Sequence, residues 1–207
     1  NEYYLANFAP FNIFNELNNN YIDLNVIDAK FQLELKYKPI KGLELSALGA
    51  FKYMTSTQEH NVKDNSNQAL AYRAMSNGII REANKYLYTD PSNPYVLPMP
   101  VLPYGGLYHK GDNRMTDFDI RTTANYNHTF AEKHIMNLFA GMEIKSIERQ
   151  RNTFEGTGLR YDAGQVPFYI YQYFKQAVEA GNTYYMITPT NSRSVAFYGN
   201  ATYSYRG

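Results

Sequence analysis

The sequence predicts an all-β fold: an antiparallel transmembrane β-barrel segment of about five strands with two long extracellular loops, part of a larger barrel. Three observations predict it. Five segments carry apolar residues at every second position along one face. The connections between them alternate between short and long. Each segment is about 10–12 residues, longer than the usual strand of a globular protein and close to the roughly 9–11 residues that cross a bilayer at a tilt.

The strands follow in order. Residues 1–28 are rich in Asn and Tyr without sustained periodicity and are expected to be loop. Over 29–38, Ala29, Phe31, Leu33, Leu35 and Tyr37 alternate with Lys30, Gln32, Glu34, Lys36 and Lys38. Successive side chains of a strand point to opposite faces, so this is a strand with one apolar side. Pro39-Ile40-Lys41-Gly42 supplies a tight turn. The second strand, 43–53, puts Leu43, Leu45, Ala47, Gly49, Phe51 and Tyr53 opposite Glu44, Ser46, Leu48, Ala50 and Lys52, a face less polar in its middle. The third, 117–127, sets Phe118, Ile120, Thr122, Ala124 and Tyr126 against Asp117, Asp119, Arg121 and Thr123. After a short connection, the fourth spans 134–147 (Met136, Leu138, Ala140, Met142 and Ile144 on one side), and the fifth spans 195–205 (Val195, Phe197, Ala201, Tyr203 and Tyr205).

The long connections, 55–115 and 149–194, leave on one side of the sheet, and the short ones on the other. Unstructured connections this long are uncommon in compact soluble domains but normal in outer-membrane barrels. The first has room for one or two short helices between Gln68 and Tyr86, then turns proline-rich from Asp90 to Gly106, which predicts an extended, ordered loop rather than sheet. Aromatic residues sit near both strand ends, with small and aliphatic residues between, as on a lipid-facing wall. The opposite face suits a wet lumen and carries Glu34, Lys36, Glu44, Asp119, Arg121, Glu143 and Lys145. The same alternation also fits a soluble β-sandwich ligand-binding module, with the apolar face turned toward a second sheet. Five strands cannot close a useful barrel, and an open edge cannot stand in lipid, so the whole of 1–207 is expected to be one partial barrel domain. The start at Asn1 suggests a mature or excised piece.

Composition removes other classes. With 20 basic and 19 acidic residues, the chain lacks the bulk charge of a nucleic-acid binder. It has no cysteine, which excludes disulfides, thiolate metal sites and cysteine nucleophiles and fits an oxidising compartment. Mean hydropathy is −0.53, and no apolar run approaches a spanning helix. The four histidines are scattered in the sequence and form no metal-binding motif. Asp117 and Asp119 share one strand face, where a hydrated wall is the simpler role than a glycosidase pair. No catalytic constellation emerges, so neither an enzyme nor a cofactor is expected.

The tyrosines of the loops are the candidate contact residues. Tyr86, Tyr88, Tyr95, Tyr104 and Tyr108 stand among prolines, and Tyr169 and Tyr171, with Tyr161 and Tyr173, lie in the second loop. Stiffened aromatic surfaces stack on sugars or bind proteins at low ordering cost, while the alternative is that the loops pack on one another.

Several stretches carry a family resemblance: Leu102-Pro103-Tyr104-Gly105-Gly106, Asn127-His128-Thr129-Phe130 running into Lys133-His134, Gly141-Met142-Glu143, Gly158-Leu159-Arg160-Tyr161, and Tyr198-Gly199-Asn200 to Tyr203-Ser204-Tyr205. In order and spacing, over most of 27–207, the chain resembles the middle of the barrel in the SusC/RagA family of TonB-dependent outer-membrane transporters from Bacteroidetes. The family's plug domain and TonB box have no counterpart in this sequence. The resemblance implies a multi-pass outer-membrane protein that imports a large nutrient, an oligosaccharide or peptide. It also implies a SusD-like surface lipoprotein as partner, and TonB contact through the plug.

Overall fold

The computed structural model describes residues 11–168, 170–179, 181 and 184–205. Five long strands dominate: β1 Asn20–Ile40, β2 Leu43–Val62, β5 Gly106–Phe130, β6 His134–Arg160 and β8 Tyr185–Tyr205. They follow a helix, α1 Ile13–Asn19, and are interrupted by α2 Asn67–Arg73, α3 Gly78–Ala83, the two-residue strands β3 Leu87–Tyr88 and β4 Met99–Pro100, a 3-10 turn Tyr161–Ala163, β7 Val166–Pro167 and α4 Tyr171–Glu179. The main sheet runs β1-β2-β5-β6, with β7 and β8 both pairing with β6, and β3 pairs with β4. β1 is an edge, so the sheet is open among the described residues.

The strands are 20 to 27 residues long, not the shorter spans read from alternation. Segments expected to be loop are strand instead: 20–28, 55–62, 106–115, 149–160 and 185–194. The reason is physical. Alternation marks only where one face is apolar, whereas a backbone ladder forms equally well between strands that are polar on both sides. The stretch 11–19, also expected to be loop, holds α1, whose start is capped by Asn12 Oδ1 accepting from the Phe14 and Asn15 amides at 3.0 and 3.3 Å. The tract Gln68–Tyr86 contains most of α2 and all of α3. The proline-rich tract is not free of sheet, since Met99–Pro100 pairs with Leu87–Tyr88.

Two compact units are present. The first comprises Asn1–Asn25, Thr57–Asp112 and Asn152–Ile187, the second Val26–Ser56, Asn113–Arg151 and Thr188–Gly207. In the first, Val62, Ala69, Leu102 and Leu107 form the core, with Tyr72 against it. Arg73 fastens the loops around that core. Its Nε donates to Leu102 O at 3.0 Å, its Nη1 to Asp64 O at 2.9 Å, and its Nη2 to Gly105 O.

Among its described residues the second unit has no such core. Its apolar face lies open: Leu33 is 66% exposed and Leu138 39%, and Phe31, Leu35, Tyr37, Phe118, Ile120 and Phe197 are exposed beside them. Among the described residues no second sheet or helix covers Leu33 or Leu138. The other face carries cross-strand ion pairs: Lys38–Glu44 and Lys52–Asp28 between β1 and β2, at 3.0 Å each, and Arg121–Glu143 at 2.9 Å between β5 and β6. Ser46 and Thr123 join β2 to β5 on the same face, their hydroxyls 2.6 Å apart. That face is not uniformly polar. Tyr198 packs against Phe139 with centroids 5.6 Å apart, and its ring lies where a β-carbon at Gly141 would collide with it.

The two short turns differ in quality. Gly42 takes φ +87°, which glycine tolerates, and accepts from the Asn127 amide at 2.8 Å. The β5–β6 turn places Ala131 and Glu132 at φ +46° and +60°, closed by Lys133 N–H donating to Phe130 O at 3.2 Å. Two left-handed central residues define the turn that suits a twisted hairpin, but Asn-Gly is its preferred filling. Glu132→Gly is therefore expected to raise stability by about 1 kcal/mol, read as a higher thermal midpoint in detergent; an unchanged midpoint would show the turn to be unstrained.

Candidate functional site

The tyrosines singled out from sequence belong to the first unit but do not form one surface patch. Tyr86 stacks on Tyr72 with centroids 4.1 Å apart at 12°, tying the end of the α3 segment to α2. Tyr88 pairs with Met99 in the small β3–β4 ladder. Tyr104 meets Phe168 edge-on at 5.7 Å, and its remaining surface is exposed. Tyr108 donates to Glu59 Oε1 and lies 6.1 Å from Phe154. Its burial, followed by the Glu59 contact, pushes its phenol well above the ordinary value, so it stays a neutral donor. Tyr95 is 97% exposed, and Tyr171, at the start of α4, is exposed too. Tyr169 and the Tyr173 side chain lie outside the described residues. Tyr86 and Tyr108 are thus engaged in packing, while Tyr95, Tyr104 and Tyr171 present free ring surface.

On the polar face of the second unit, Glu34 pairs with Lys36 at 3.3 Å, Glu44 with Lys38, Arg121 with Glu143, and Lys145 with Asp117 at 3.7 Å. Asp119 forms no such ion pair, and its Oδ1, like that of Asp117, is buried without a hydrogen-bond partner among the described residues.

Two groupings escape the sequence. His60 and His109, 49 positions apart by their numbers, stack with centroids 5.7 Å apart on β2 and β5. Burial first, and then repulsion from His109, lowers the His60 pKa, and its Nε2 lies 2.7 Å from Asn20 Oδ1. Among the described residues no group of three or more His, Asp or Glu is arranged to hold a metal ion.

The second grouping is a polar cavity of about 590 Å³ where the start of β1, the end of β2 and the 3-10 turn converge. Tyr21, Lys63, Asp64, Asn65, Asp162 and Gln165 line it. The Lys63 amide donates to Asn19 O at 2.7 Å beside it. Tyr161 also lines it, its hydroxyl donating to Leu107 O at 3.0 Å and to Asn61 Oδ1 at 3.2 Å. Burial pushes the Tyr161 phenol up to about 12, with Tyr21 and Asp64 adding to the shift. Gly158-Leu159-Arg160-Tyr161 was the one sequence signal near this cavity.

No family model matches the sequence, and no curated protein matches it. Solved structures do. A chain of the RagAB peptide importer in the closed-closed state superposes with a TM-score of 0.58 at 16% identity, covering 90% of this chain and 16% of that one. A chain of the RagAB peptide transporter gives 0.54 at 17% identity, with the same coverage. The chain thus spans about a sixth of the length of these relatives. At such identity the likeness speaks to fold alone: this is an antiparallel β-barrel segment whose sheet is left open, built like part of those chains.

Proposed function

We propose that the chain is part of a TonB-dependent outer-membrane transporter that imports a large nutrient together with a SusD-like surface lipoprotein. The observation that carries this reading is the uncovered apolar face of the second unit, with Leu33 66% exposed between Phe31 and Tyr37. A row of large apolar side chains left open on several adjacent strands is costly in water and stable against acyl chains. The face also ends in interfacial chemistry: His134 Nδ1 lies 2.6 Å from the Tyr203 hydroxyl, and Tyr126 stacks on His128 at 5.8 Å. Rings with one polar edge favour the headgroup level. Glu34, Lys36, Glu44, Asp119, Arg121, Glu143 and Lys145 then face a hydrated lumen and the plug. Tyr95, Tyr104 and Tyr171 are the contact residues for cargo or lid. The cargo is an oligosaccharide or a peptide, and the name of the structural relatives favours a peptide.

The test is fractionation with uptake. The protein should partition with the outer membrane and stay monodisperse only in detergent. Cells lacking it should lose energy-dependent uptake of labelled oligopeptides or oligosaccharides, and blocking TonB should have the same effect. A soluble, compact protein without amphiphile would end the proposal.

A further inference from the structure

The polar cavity of the first unit holds more recognition chemistry than its own packing uses. Its two carboxylates are already matched: Asp64 lies 3.4 Å from Arg73 Nη2, and Asp162 2.8 Å from Arg160 Nη2. Lys63 is not matched. Among the described residues no carboxylate lies within ion-pairing distance of it, and its ammonium sits 5.0 Å over the Tyr21 ring. The side-chain amides of Asn65 and Gln165, both exposed to solvent, border the same space and make no hydrogen bond among the described residues. Gln165 is also held at φ +65°, where glycine would be the unstrained choice.

We infer that this cavity binds an organic carboxylate, with Lys63 as the charge anchor and the Asn65 and Gln165 amides as donors to its oxygens. Other ligand classes fit less well. A cation finds both carboxylates occupied by arginines. A phosphate brings more charge than one unmatched lysine answers. A neutral sugar has no use for Lys63 and would compete with its ammonium for the Tyr21 face. The cavity volume is that of a small-ligand site. Two sources offer this chemistry, a peptide carboxylate and the uronic acid of a saccharide. As a cargo contact the site rests on the import reading above; as a binding site it stands alone.

The experiment is calorimetric titration of the purified protein in detergent. The probes are N-acetyl-tetraalanine as free acid or C-terminal amide, and digalacturonate or its methyl ester. At least one acid should bind, with its neutral counterpart weaker by about tenfold, the loss expected when a charged hydrogen bond is removed. Lys63→Met should weaken the acid by a similar factor, and Lys63→Arg should restore most of it. Gln165→Gly removes one amide while relieving the backbone, so it should weaken binding and raise the thermal midpoint together, which a purely structural role would not do. The peptide arm binding alone assigns a peptide carboxylate, and the galacturonate arm binding alone a uronic acid. Equal affinity for acid and neutral probes, no binding of either acid, or unchanged affinity in both Lys63→Met and Gln165→Gly overturns the inference. Carboxylate binding by a protein whose loss leaves uptake intact would overturn the import reading and keep this one. Uptake without carboxylate binding would do the reverse.

Discussion

Leu33→Arg is expected to cost about 2–4 kcal/mol of folding stability in a bilayer, the loss found for basic residues near the midplane of a barrel wall. Leu33 lies on β1 with two-thirds of its surface open and makes no core. For a protein dissolved in water, a charge at so exposed a position would change stability by no more than about 0.5 kcal/mol. The two environments therefore predict different magnitudes for one substitution. Gln32→Arg, one residue away on the other face, is the internal control and should be near neutral, because a hydrated surface accepts a guanidinium. Denaturant titration of the refolded protein in lipid vesicles reads both. Equal, small effects at the two positions would show that Leu33 does not meet lipid.

Leu102→Ala should cost about 2–5 kcal/mol locally, the range for a large buried aliphatic residue cut back to a methyl. Leu102 is fully buried and packs with Val62, Ala69 and Leu107 in a hydrophobic cluster of the first unit. Its backbone carbonyl is also one of the acceptors that Arg73 holds. The cavity left by the truncation would loosen the side-chain packing and the arginine clamp together. Hydrogen exchange of the 66–107 amides should accelerate by roughly 30-fold or more, while the strands of the second unit keep their protection. Uniform acceleration across both units would mean that the loop layer is not a separate cooperative element.

The parts of the fold legible in the sequence are those with asymmetric surroundings. Phe31, Leu33 and Leu35 alternate with Gln32, Glu34 and Lys36 because one side is apolar and the other wet, and that difference is written in residue type. Beyond Tyr53 the second strand continues through Thr55, Ser56, Thr57 and Gln58 with no such contrast, so its pairing leaves no pattern to read. The carboxylate pocket was hidden for another reason. Lys63, Tyr21 and Gln165 come from three distant stretches, and only the strand pairing and the 3-10 turn bring them to one space. The loop tyrosines were visible as a composition, but nothing in the chain told Tyr95, wholly open, from Tyr108, held by Glu59.

The unequal turns bear on the order of assembly. At Lys41-Gly42 the local backbone already favours reversal, so β1 and β2 have a nucleus of their own and can zip outward from it. At Ala131-Glu132 local preference opposes the bend, and only the ladder beyond it holds the bend in place. β6 must therefore be recruited by contacts elsewhere along β5, leaving its reversal as a late event that follows pairing instead of starting it.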